Sequence, residues 1–452
     1  MSKTGKAAEQ EAIFGIVPVF KEEKTYGFWN TTLVTGGYAI ATWCYTQGAY
    51  MAQGLTFRDF LTSLFGPNIL IITLVSLLAI FAIRYGVDIW VWMRSLFGDI
   101  GQKIIAVACV VMILPWFSVC ADIFAGSLMN MMAGFGIDIA PGLRPAIGVC
   151  CVILGLLIAL GGPPIIKYVN PILLISLIAV GVVAIYLAFT SVPVNQIVDY
   201  SPGEYEPGNY MLMVEGGMAF AFSWAMGVAI IPRMSTGERK GYWATSLSYG
   251  IIAPFFVFIG GVLSLAMISK LGYGSDDPSV ILFALGGPVA LLAFANIGTA
   301  GTGTYLYTMI LKAAFPKVKY QWLAFVICAY MGVLTVWGGA VEHFGAFISF
   351  SAFLLAPISG MLLVDFFIIR KQEMSLRELF GPVKKYNPIG IVSLLAGVLG
   401  GISVYNPATG EILSPIFYAF TGSGFSLVVG SLCYLILKKF VSGNKELLKA
   451  SN

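Results

Sequence analysis

Apolar runs alternate with short polar stretches along nearly the whole chain. A helix needs about 20 apolar residues to cross the hydrocarbon core of a bilayer, and twelve runs approach or exceed that length. The runs are 28–53, 60–83, 103–133, 144–161, 168–190, 211–232, 243–269, 279–312, 320–339, 344–369, 388–405 and 413–437. The pattern therefore predicts an all-α integral membrane protein with twelve transmembrane helices.

Composition supports this prediction, and loop charge predicts the orientation of the chain in the membrane. Hydrophobic residues make up 58% of the 452 residues and charged residues 11%, which is too little polar surface for a water-soluble protein of this size. Nearly all of the 26 lysines and arginines fall in the tails 1–27 and 438–452 and in every second loop. Because basic residues mark cytoplasmic loops, we expect both termini in the cytoplasm and the protein in the inner (plasma) membrane.

One short pattern occurs twice. The first run contains Thr35-Gly-Gly-Tyr-Ala-Ile-Ala-Thr-Trp43, and the sixth contains Glu215-Gly-Gly-Met-Ala-Phe-Ala-Phe-Ser-Trp224. An odd number of crossings separates the copies, so they run in opposite directions, as in transporters built from inverted repeats. Paired glycines weaken a helix and expose backbone groups, which at membrane depth must face protein or a water-filled cavity. The segments then line a substrate site, or their small residues serve only close helix packing.

Three further segments resemble motifs of a known family. Pro115-Trp-Phe-Ser-Val-Cys-Ala-Asp-Ile-Phe-Ala125 is similar to the Gly-Trp-Phe-Gly segment of the nucleobase:cation symporter family, and the next segment is similar in particular to its cytosine-permease branch. Asn296-Ile-Gly-Thr299 is similar to the Asn-Ile-Trp-Thr of cytosine permeases. The most specific match is Leu355-Ala-Pro-Ile-Ser-Gly-Met-Leu-Leu-Val-Asp-Phe-Phe-Ile-Ile-Arg-Lys371, with its Leu-Ala-Pro, glycine, aspartate and basic pair. The spacing of all twelve runs agrees with the same family.

The resemblance implies a five-plus-five inverted repeat of the leucine-transporter type, followed by two additional C-terminal helices. The repeats would occupy residues 28–190 and 211–369, and the additional helices residues 388–437. Such a protein is a secondary active transporter, whose central site opens to either side of the membrane in turn. We expect a monomer without organic cofactor that imports a nucleobase such as cytosine, or a related small planar nitrogen compound, driven by a sodium or proton gradient.

Two tryptophans near the middle of their runs are the first candidates for substrate binding. Transmembrane tryptophans usually lie at the bilayer interfaces, whereas Trp116 and Trp224 do not. The resemblance places the family's stacking aromatics at both positions, and a planar ring gains about 1–3 kcal/mol from each such contact. Further candidates for selectivity are Cys120, Phe222, Ser223, Met226 and Tyr305. Relatives carry glutamine where this chain has Ile113 and Cys120, so the resemblance leaves the substrate open.

The resemblance also implies a sodium site at the first Gly-Gly segment. Its ligands would be the carbonyls of Gly37 and Ile40 together with Asn296, Thr299 and Ala300. Sodium takes several oxygen ligands, and Ala300 lacks the hydroxyl that cytosine permeases have here, so Thr302, Thr304 or water would have to supply an oxygen. Proton coupling and uncoupled transport are the alternatives. A bond from the Thr299 hydroxyl to a carbonyl one turn earlier would be a purely structural role.

Few charged residues fall inside the runs. Asp122 is the most unusual, because an aspartate within a span costs about 2.5–3.5 kcal/mol on insertion scales. It would bind a cationic substrate or a proton, or else pair with a neighbouring hydroxyl or lie near the outer rim. We expect water to reach Glu215 and the Glu342-His343 pair at outer span ends. The expected charge anchor at the cytoplasmic end of the tenth run consists of Asp365, Arg370 and Lys371.

Motifs for other functions are missing from the sequence. It has no Gly-x-x-x-x-Gly-Lys-Ser/Thr phosphate loop and no His-Glu-x-x-His metal motif, and it contains one histidine. The seven cysteines lack Cys-x-x-Cys spacing and suit small core positions better than disulfides. No basic patch indicates a nucleic-acid partner. We therefore do not expect an enzyme. A carrier of a different small cation or heterocycle that uses Asp122, a channel and an intramembrane enzyme are the alternatives.

Overall fold

A computed structural model of the protein describes residues 18–203, 207–341 and 343–450, which are mostly helical. In chain order the α-helices are α1 Phe28–Ala39, α2 Thr42–Gln53, α3 Phe57–Val75, α4 Leu77–Tyr85, α5 Ile89–Phe97, α6 Asp99–Gly134, α7 Arg144–Gly161, α8 Pro163–Ser191, α9 Val194–Val198, α10 Pro207–Ser223, α11 Glu238–Leu247, α12 Ala253–Leu271, α13 Pro278–Ala284, α14 Val289–Ala314, α15 Tyr320–Trp337, α16 Phe344–Leu363, α17 Leu376–Phe380, α18 Pro388–Val404 and α19 Phe417–Ala450. Two short antiparallel strands, β1 Tyr405–Asn406 and β2 Glu411–Ile412, join α18 to α19.

Nine helical segments of the described residues are long and apolar enough to cross a membrane. They are Phe57–Tyr85, Asp99–Gly134, Pro141–Gly161, Ile172–Ser191, Glu238–Leu271, Val289–Ala314, Tyr320–Trp337, Phe344–Ile369 and Phe417–Val441. The shorter apolar helix α18 and two interrupted segments, one comprising α1 with α2 and the other α10 with the turns after it, occupy the remaining predicted runs. The protein is thus the all-α integral membrane protein that the sequence predicted.

The predicted run 279–312 is longer than one membrane helix requires and is divided in the structure. The run 279–312 contains both α13 and α14, because Gly286 between them has a left-handed backbone, with φ of 82°. A left-handed glycine ends a helix without steric penalty, and the next helix begins after Pro288, whose fixed φ suits a helix start. α13 is therefore a separate short helix before the membrane-spanning α14.

The membrane helices pack in two groups. In the first group α2 packs against α12, and α10 packs against α3. In the second group α14 packs against α6, α7 and α8. Glycines allow these close crossings, since a Cβ atom on Gly48 would collide with the carbonyl of Val257 and one on Gly260 with that of Tyr45. Both groups contribute walls to the cavities described below.

The last two membrane helices pack tightly on the rest of the protein. α18 and α19 contact each other and α16. A Cβ atom on Gly397 would lie 2.6 Å from Cβ of Pro357, and one on Gly430 would lie 2.5 Å from the same atom. Both C-terminal helices therefore depend on glycine where they meet the proline of α16.

The helix α19 is kinked at Thr421, where φ is 58° and ψ is 178°. The Glu215 carboxylate of α10 accepts hydrogen bonds from the Ser423 amide at 2.9 Å and from the Ser423 hydroxyl at 2.6 Å. It therefore caps the helix that restarts after the kink. Our expectation that water reaches Glu215 is wrong, because this residue is 1% exposed. Glu342 lies outside the described residues, and the His343 ring packs 5.5 Å from the ring of Trp337.

Of the expected charge anchor at the end of the tenth run, Asp365 is buried, whereas Arg370 is partly exposed and Lys371 is exposed. Asp365 lies in a π-helical turn, Val364–Ile369, and has no exposed surface. Its carboxylate accepts hydrogen bonds from Trp92 Nε1 at 3.1 Å, from the Tyr434 hydroxyl at 2.9 Å and from Arg370 Nε at 2.6 Å. Asp365 thus joins the end of α16 to α5 and α19. The third expected member of the anchor is Lys371, which lies in the following turn with φ of 49°.

Candidate functional site

Both Gly-Gly segments are interrupted, but not at the glycines themselves. Between α1 and α2, Ile40 has φ of −93° and ψ of 122°, and Ala41 has φ of −152° and ψ of 169°. After α10 the chain forms a single 3₁₀ turn, Trp224–Met226, and further turns. Gly217 serves packing, since a Cβ atom there would lie 2.5 Å from the Ser63 carbonyl oxygen. The two Gly-Gly segments therefore show both expected features. Each segment contains a helix break, and Gly217 permits close helix packing.

A cavity of about 70 Å³ lies between the two interruptions and is called the central cavity here. The predicted residues that line it are Gly37, Ile40, Ser223, Trp224, Met226 and Thr299. An adjoining space of about 30 Å³ is lined by both Trp116 and Trp224. The structure thus brings the two predicted tryptophans to one place, together with the candidate sodium ligands of the first break.

A third tryptophan, Trp43, stands between these two. Its ring centroid lies 5.5 Å from that of Trp116 and 6.5 Å from that of Trp224. On the other side, Tyr249 stacks on Trp224 with centroids 4.9 Å apart and planes inclined by 23°. Tyr249 belongs to a π-helical turn, Ser248–Ile252, between α11 and α12, and such turns are frequent at functional sites. The central cavity is therefore walled by aromatic rings in several orientations.

Sequence analysis did not select Trp43 or Tyr249. A signal for Trp43 was present, because it ends the first copy of the repeat as Trp224 ends the second. Tyr249 had no comparable signal, since the π-helical turn that directs it toward Trp224 has no pattern of apolar positions that distinguishes it from an α-helix.

The three tryptophans share an unusual property. Among the described residues, Nε1 of Trp43, of Trp116 and of Trp224 has no hydrogen-bond partner, although all three nitrogens are buried. A buried indole N–H normally has an acceptor, and leaving one unpaired costs about 1–3 kcal/mol. The fold therefore leaves three buried N–H donors at this site without an acceptor among the described residues.

The other predicted substrate residues lie elsewhere. The Cys120 thiol lies 3.3 Å from the Thr42 hydroxyl and is buried. Phe222 has no exposed surface and belongs to the packed core. Tyr305 lines a different, larger cavity.

The predicted cation ligands are only partly assembled. Gly37, Ile40 and Thr299 line the central cavity, and α1 ends at Ala39, so its last carbonyls lack helical amide partners. The Thr299 hydroxyl, however, donates to the Ala295 carbonyl at 3.0 Å, which is the structural role considered above.

The two remaining predicted ligands have other contacts. The Asn296 amide oxygen accepts a hydrogen bond from Thr42, and its nitrogen donates to the Leu292 carbonyl at 3.0 Å. Ala300 offers no side-chain oxygen and packs against Gly155. The candidate oxygen ligands beside the cavity are thus the backbone oxygens at the break, the Thr299 hydroxyl and the hydroxyl of Thr302, which lines the cavity as well.

Asp122 is paired with an arginine. Arg144, the first residue of α7, donates to its carboxylate from Nε at 2.8 Å and from Nη2 at 2.7 Å. The same guanidinium reaches Asp277 at 2.7 Å, and Asp277 accepts a hydrogen bond from the Ser279 amide at the start of α13. The partner is thus a charged residue rather than the hydroxyl considered above. Because Arg144 compensates its charge, Asp122 gives no support to a cationic substrate.

A second, larger cavity of about 550 Å³ lies beside the central one and is called the vestibule here. The residues that line both cavities are Tyr38, Ile230, Ile231 and Leu306. The N-terminal residues Val19, Glu23 and Tyr26 line its other end, on the side that the loop charges predict to be cytoplasmic. The vestibule therefore connects the central cavity with that end of the molecule.

Two opposite charges line the vestibule. Asp88 precedes α5, and Arg233 follows the break after α10. Burial raises the pKa of Asp88 to about 6, and the positive charge of Arg233 opposes this rise. At neutral pH Asp88 is therefore still mainly ionised.

Comparison with known sequences identifies the family. Residues 18–430 match the model of a family described as permeases for cytosine/purines, uracil, thiamine and allantoin. The chain is 23% identical over 380 residues to YxlA of Bacillus subtilis (strain 168), a protein named as a purine-cytosine permease, with 79% of this chain and 80% of YxlA covered. It is 24% identical over 326 residues to the hydantoin permease of Microbacterium maritypicum, with 66% of this chain and 64% of that permease covered.

Solved structures show the same fold. The inward-facing conformation of Mhp1 superposes with a TM-score of 0.77 at 16% identity, covering 95% of this chain and 93% of Mhp1. Mhp1, a nucleobase-cation-symport-1 family transporter, has also been solved in a closed conformation with bromovinylhydantoin bound. That structure superposes with a TM-score of 0.69 at 17% identity and covers 94% of this chain and 93% of Mhp1. A Na⁺-coupled sialic acid symporter superposes with a TM-score of 0.61 at 12% identity and covers 96% of this chain and 98% of the symporter. The match over residues 18–430 shows that this chain belongs to the family of permeases for cytosine/purines, uracil, thiamine and allantoin, and that it is a transporter rather than an enzyme.

Proposed function

We propose that this protein is a symporter that imports a nucleobase such as cytosine, or a related small planar nitrogen compound. The observation that carries the proposal is the set of three unpaired indole N–H groups, on Trp43, Trp116 and Trp224, around one aromatic cavity. A nucleobase has flat faces that stack on such rings. It also has carbonyl and ring-nitrogen acceptors in its plane for the N–H groups. An aliphatic substrate would leave the donors unpaired or the rings without a stacking partner.

The proposed mechanism is alternating access. The two groups of helices move relative to one another, and the interrupted helices between them hold the substrate. The vestibule links the central cavity to the end that we propose to be cytoplasmic, so the described conformation corresponds to substrate release. We further propose that the protein lies in the plasma membrane with both termini in the cytoplasm and acts as a monomer.

A sodium or proton gradient drives uptake in this proposal. For sodium, the carbonyl oxygens of Gly37 and Ile40 and the hydroxyl of Thr299 provide ligands beside the substrate. Asn296 and Ala300 complete the set of ligands that the family resemblance implies. The Asn296 amide oxygen becomes available when its hydrogen bond from Thr42 breaks, and Ala300 contributes its carbonyl oxygen. Binding of both solutes at one helix break couples their movements, because each stabilises the same arrangement of α1 and α14.

Uptake by purified protein in proteoliposomes tests the proposal. Radiolabelled cytosine, uracil, hypoxanthine, hydantoin and allantoin would be supplied under an inward sodium gradient, an inward proton gradient, or neither. We expect saturable uptake of at least one compound, stimulation by one gradient, and counterflow when the same unlabelled compound is loaded inside. Flux that neither saturates nor shows counterflow would indicate a channel. Absence of uptake of every compound would refute the proposed substrate class.

A further inference from the structure

The wall of the vestibule contains two unpaired polar groups next to each other in the chain. Asp88 is 7% exposed and Trp90 is 2% exposed, and both line this cavity. Within the part of the chain that the structure describes, Asp88 Oδ1 and Trp90 Nε1 have no hydrogen-bond partner. One of these atoms is an acceptor and the other is a donor. The vestibule therefore has a complementary pair of polar atoms that the fold itself leaves unpaired.

Two other buried acidic groups among the described residues have hydrogen-bond partners for their carboxylates, unlike Oδ1 of Asp88. Asp365 accepts three side-chain hydrogen bonds, and Glu215 accepts two from Ser423. Asp88 occupies the N-cap position of α5, where burial raises the pKa of its carboxylate and the amides of Ile89 and Trp90 counteract this rise, but Oδ1 has no hydrogen-bond partner in the described part of the chain. Holding the helix end therefore accounts for only part of this carboxylate. Leaving a buried polar group unpaired costs about 1–3 kcal/mol, which a ligand that pairs with it would recover.

The chemistry of the vestibule defines the ligand that fits it. Asp88 and Trp90 contribute an acceptor and a donor to the wall of the vestibule. A ring N–H and its adjacent carbonyl, the edge of a cyclic amide or ureide, offer the matching donor and acceptor. The aromatic residues Tyr26, Tyr38 and Tyr305 line the same cavity and suit the faces of a planar ring. The cavity volume of about 550 Å³ lies within the range of about 300–1,000 Å³ that is usual for small-molecule sites.

We propose that the vestibule holds a second binding site for cyclic amides and ureides, in which Asp88 accepts from the ring N–H and Trp90 donates to the adjacent carbonyl. This inference rests on the proposed function and extends it. Because the two cavities share walls, a molecule released from the central cavity meets this site before it leaves the protein. Release then occurs in two steps, and each step breaks only part of the contacts with the ring.

The test measures whether uracil protects a cysteine thiol in the vestibule from alkylation by a maleimide. Ala313 lines this cavity and is partly exposed, so an Ala313→Cys variant places a reactive group there. Cys150 is exposed and is replaced by serine throughout. Purified protein at pH 7.5, where Asp88 is ionised, is alkylated with a maleimide with and without uracil. We expect uracil to slow alkylation about twofold at a concentration equal to its dissociation constant. 1,3-Dimethyluracil, which has no ring N–H, should give no protection.

Further variants separate the vestibule from the central cavity. Protection should persist with Trp224→Ala, which damages only the central cavity, and with Glu23→Gln, a control in which the altered carboxylate already bonds the Phe20 amide. It should be lost with Asp88→Ala and with Trp90→Phe, a conservative change that keeps an aromatic ring. Unfolding temperature and gel filtration verify the fold of each variant.

The outcomes distinguish this inference from the proposed function. Equal alkylation rates with and without uracil, or protection that survives both Asp88→Ala and Trp90→Phe, would overturn the vestibular site. Either result is compatible with saturable uptake in proteoliposomes, so the proposed function would stand. Protection that depends on Asp88 and Trp90 but is retained in Trp224→Ala supports the vestibular site even if uptake of uracil itself is absent.

Discussion

The three tryptophans at the central cavity and its adjoining space have different surroundings. Trp224 stacks on Tyr249 and lines both the central cavity and the adjoining space. Trp116 meets Trp43 edge to face and lines only the adjoining space. At the scale of single residues, we therefore propose that the face of Trp224 opposite Tyr249 stacks with a planar substrate.

Replacing Trp224 should weaken substrate binding. Trp224→Ala removes a stacking face worth about 1–3 kcal/mol, so we expect the dissociation constant to rise about five- to 150-fold. Trp224→Phe keeps a ring without the N–H and should have a smaller effect. Equilibrium binding of the transported compound measures both. Trp337→Ala is the control, because that tryptophan is 52% exposed and lies outside the cavities named here. Unchanged affinity in Trp224→Ala would show that the pocket is misplaced.

Replacing Thr299 tests the proposed sodium site. Thr299→Ala removes a hydroxyl beside the cavity, whereas Thr299→Ser retains it. If sodium is the coupling ion, we expect the sodium concentration for half-maximal uptake to rise about tenfold in the alanine variant, with near-normal behaviour in the serine variant. Sodium-dependent uptake in proteoliposomes measures this. If the alanine and serine variants both show the sodium dependence of the unmodified protein, the hydroxyl is not a sodium ligand. Its role is then the hydrogen bond to the Ala295 carbonyl.

At the scale of elements, the short helix α13 is held from two sides. Asp277 pairs with Arg144 at the start of α7. The neighbouring Asp276 accepts a hydrogen bond at 2.6 Å from Gln53 at the end of α2. Because α2 and α7 belong to different helix groups, α13 bridges them at the end opposite the vestibule. In the alternating access that we propose, these contacts loosen when that end opens.

Removing the arginine should therefore free α13. Arg144→Gln leaves Asp122 and Asp277 without their cation, and hydrogen bonds to charged groups contribute about 1.5–3 kcal/mol each. We expect amide hydrogen exchange in peptides covering 272–286 to accelerate about tenfold or more. Lys103→Gln is a matched control, since its partly exposed pair with Asp99 lies within α6 and does not contact α13. Equal exchange in Arg144→Gln and the unmodified protein would contradict a role for the pair in holding α13.

Sequence analysis predicted the elements better than the contacts between them. The apolar runs located the membrane helices because hydrophobic length is a property of each segment alone. Sequence analysis predicted that Asp122 needs a partner, but not that Arg144 of another helix is that partner. It also placed water near Glu215, because the carboxylate's partner, Ser423, is 208 residues away in the chain. Such pairings depend on how helices pack, which the apolar pattern does not encode.

At the scale of the whole molecule, the loop charges predict the orientation in the membrane. An impermeant maleimide added to intact cells should label an Asp138→Cys variant and should not label Lys317→Cys until the membrane is permeabilised. Both variants carry Cys150→Ser, because Cys150 is exposed. The opposite labelling pattern would reverse the orientation, and the vestibule would then be an entrance for uptake rather than an exit.

The hydrogen bonds between Glu215 and Ser423 also bear on how the protein is made. Ser423 follows Glu215 by 208 residues, so at about 5–20 residues per second the ribosome supplies this donor roughly 10–40 s after the carboxylate. During that interval α10 is in the membrane with a charged or protonated group whose final partner has not been synthesised. A nascent chain that stops before α19 never acquires it. Such truncated chains should be recognised and degraded by membrane quality control, and a shortened ten-helix version of this transporter would need a substitution at Glu215 to be produced.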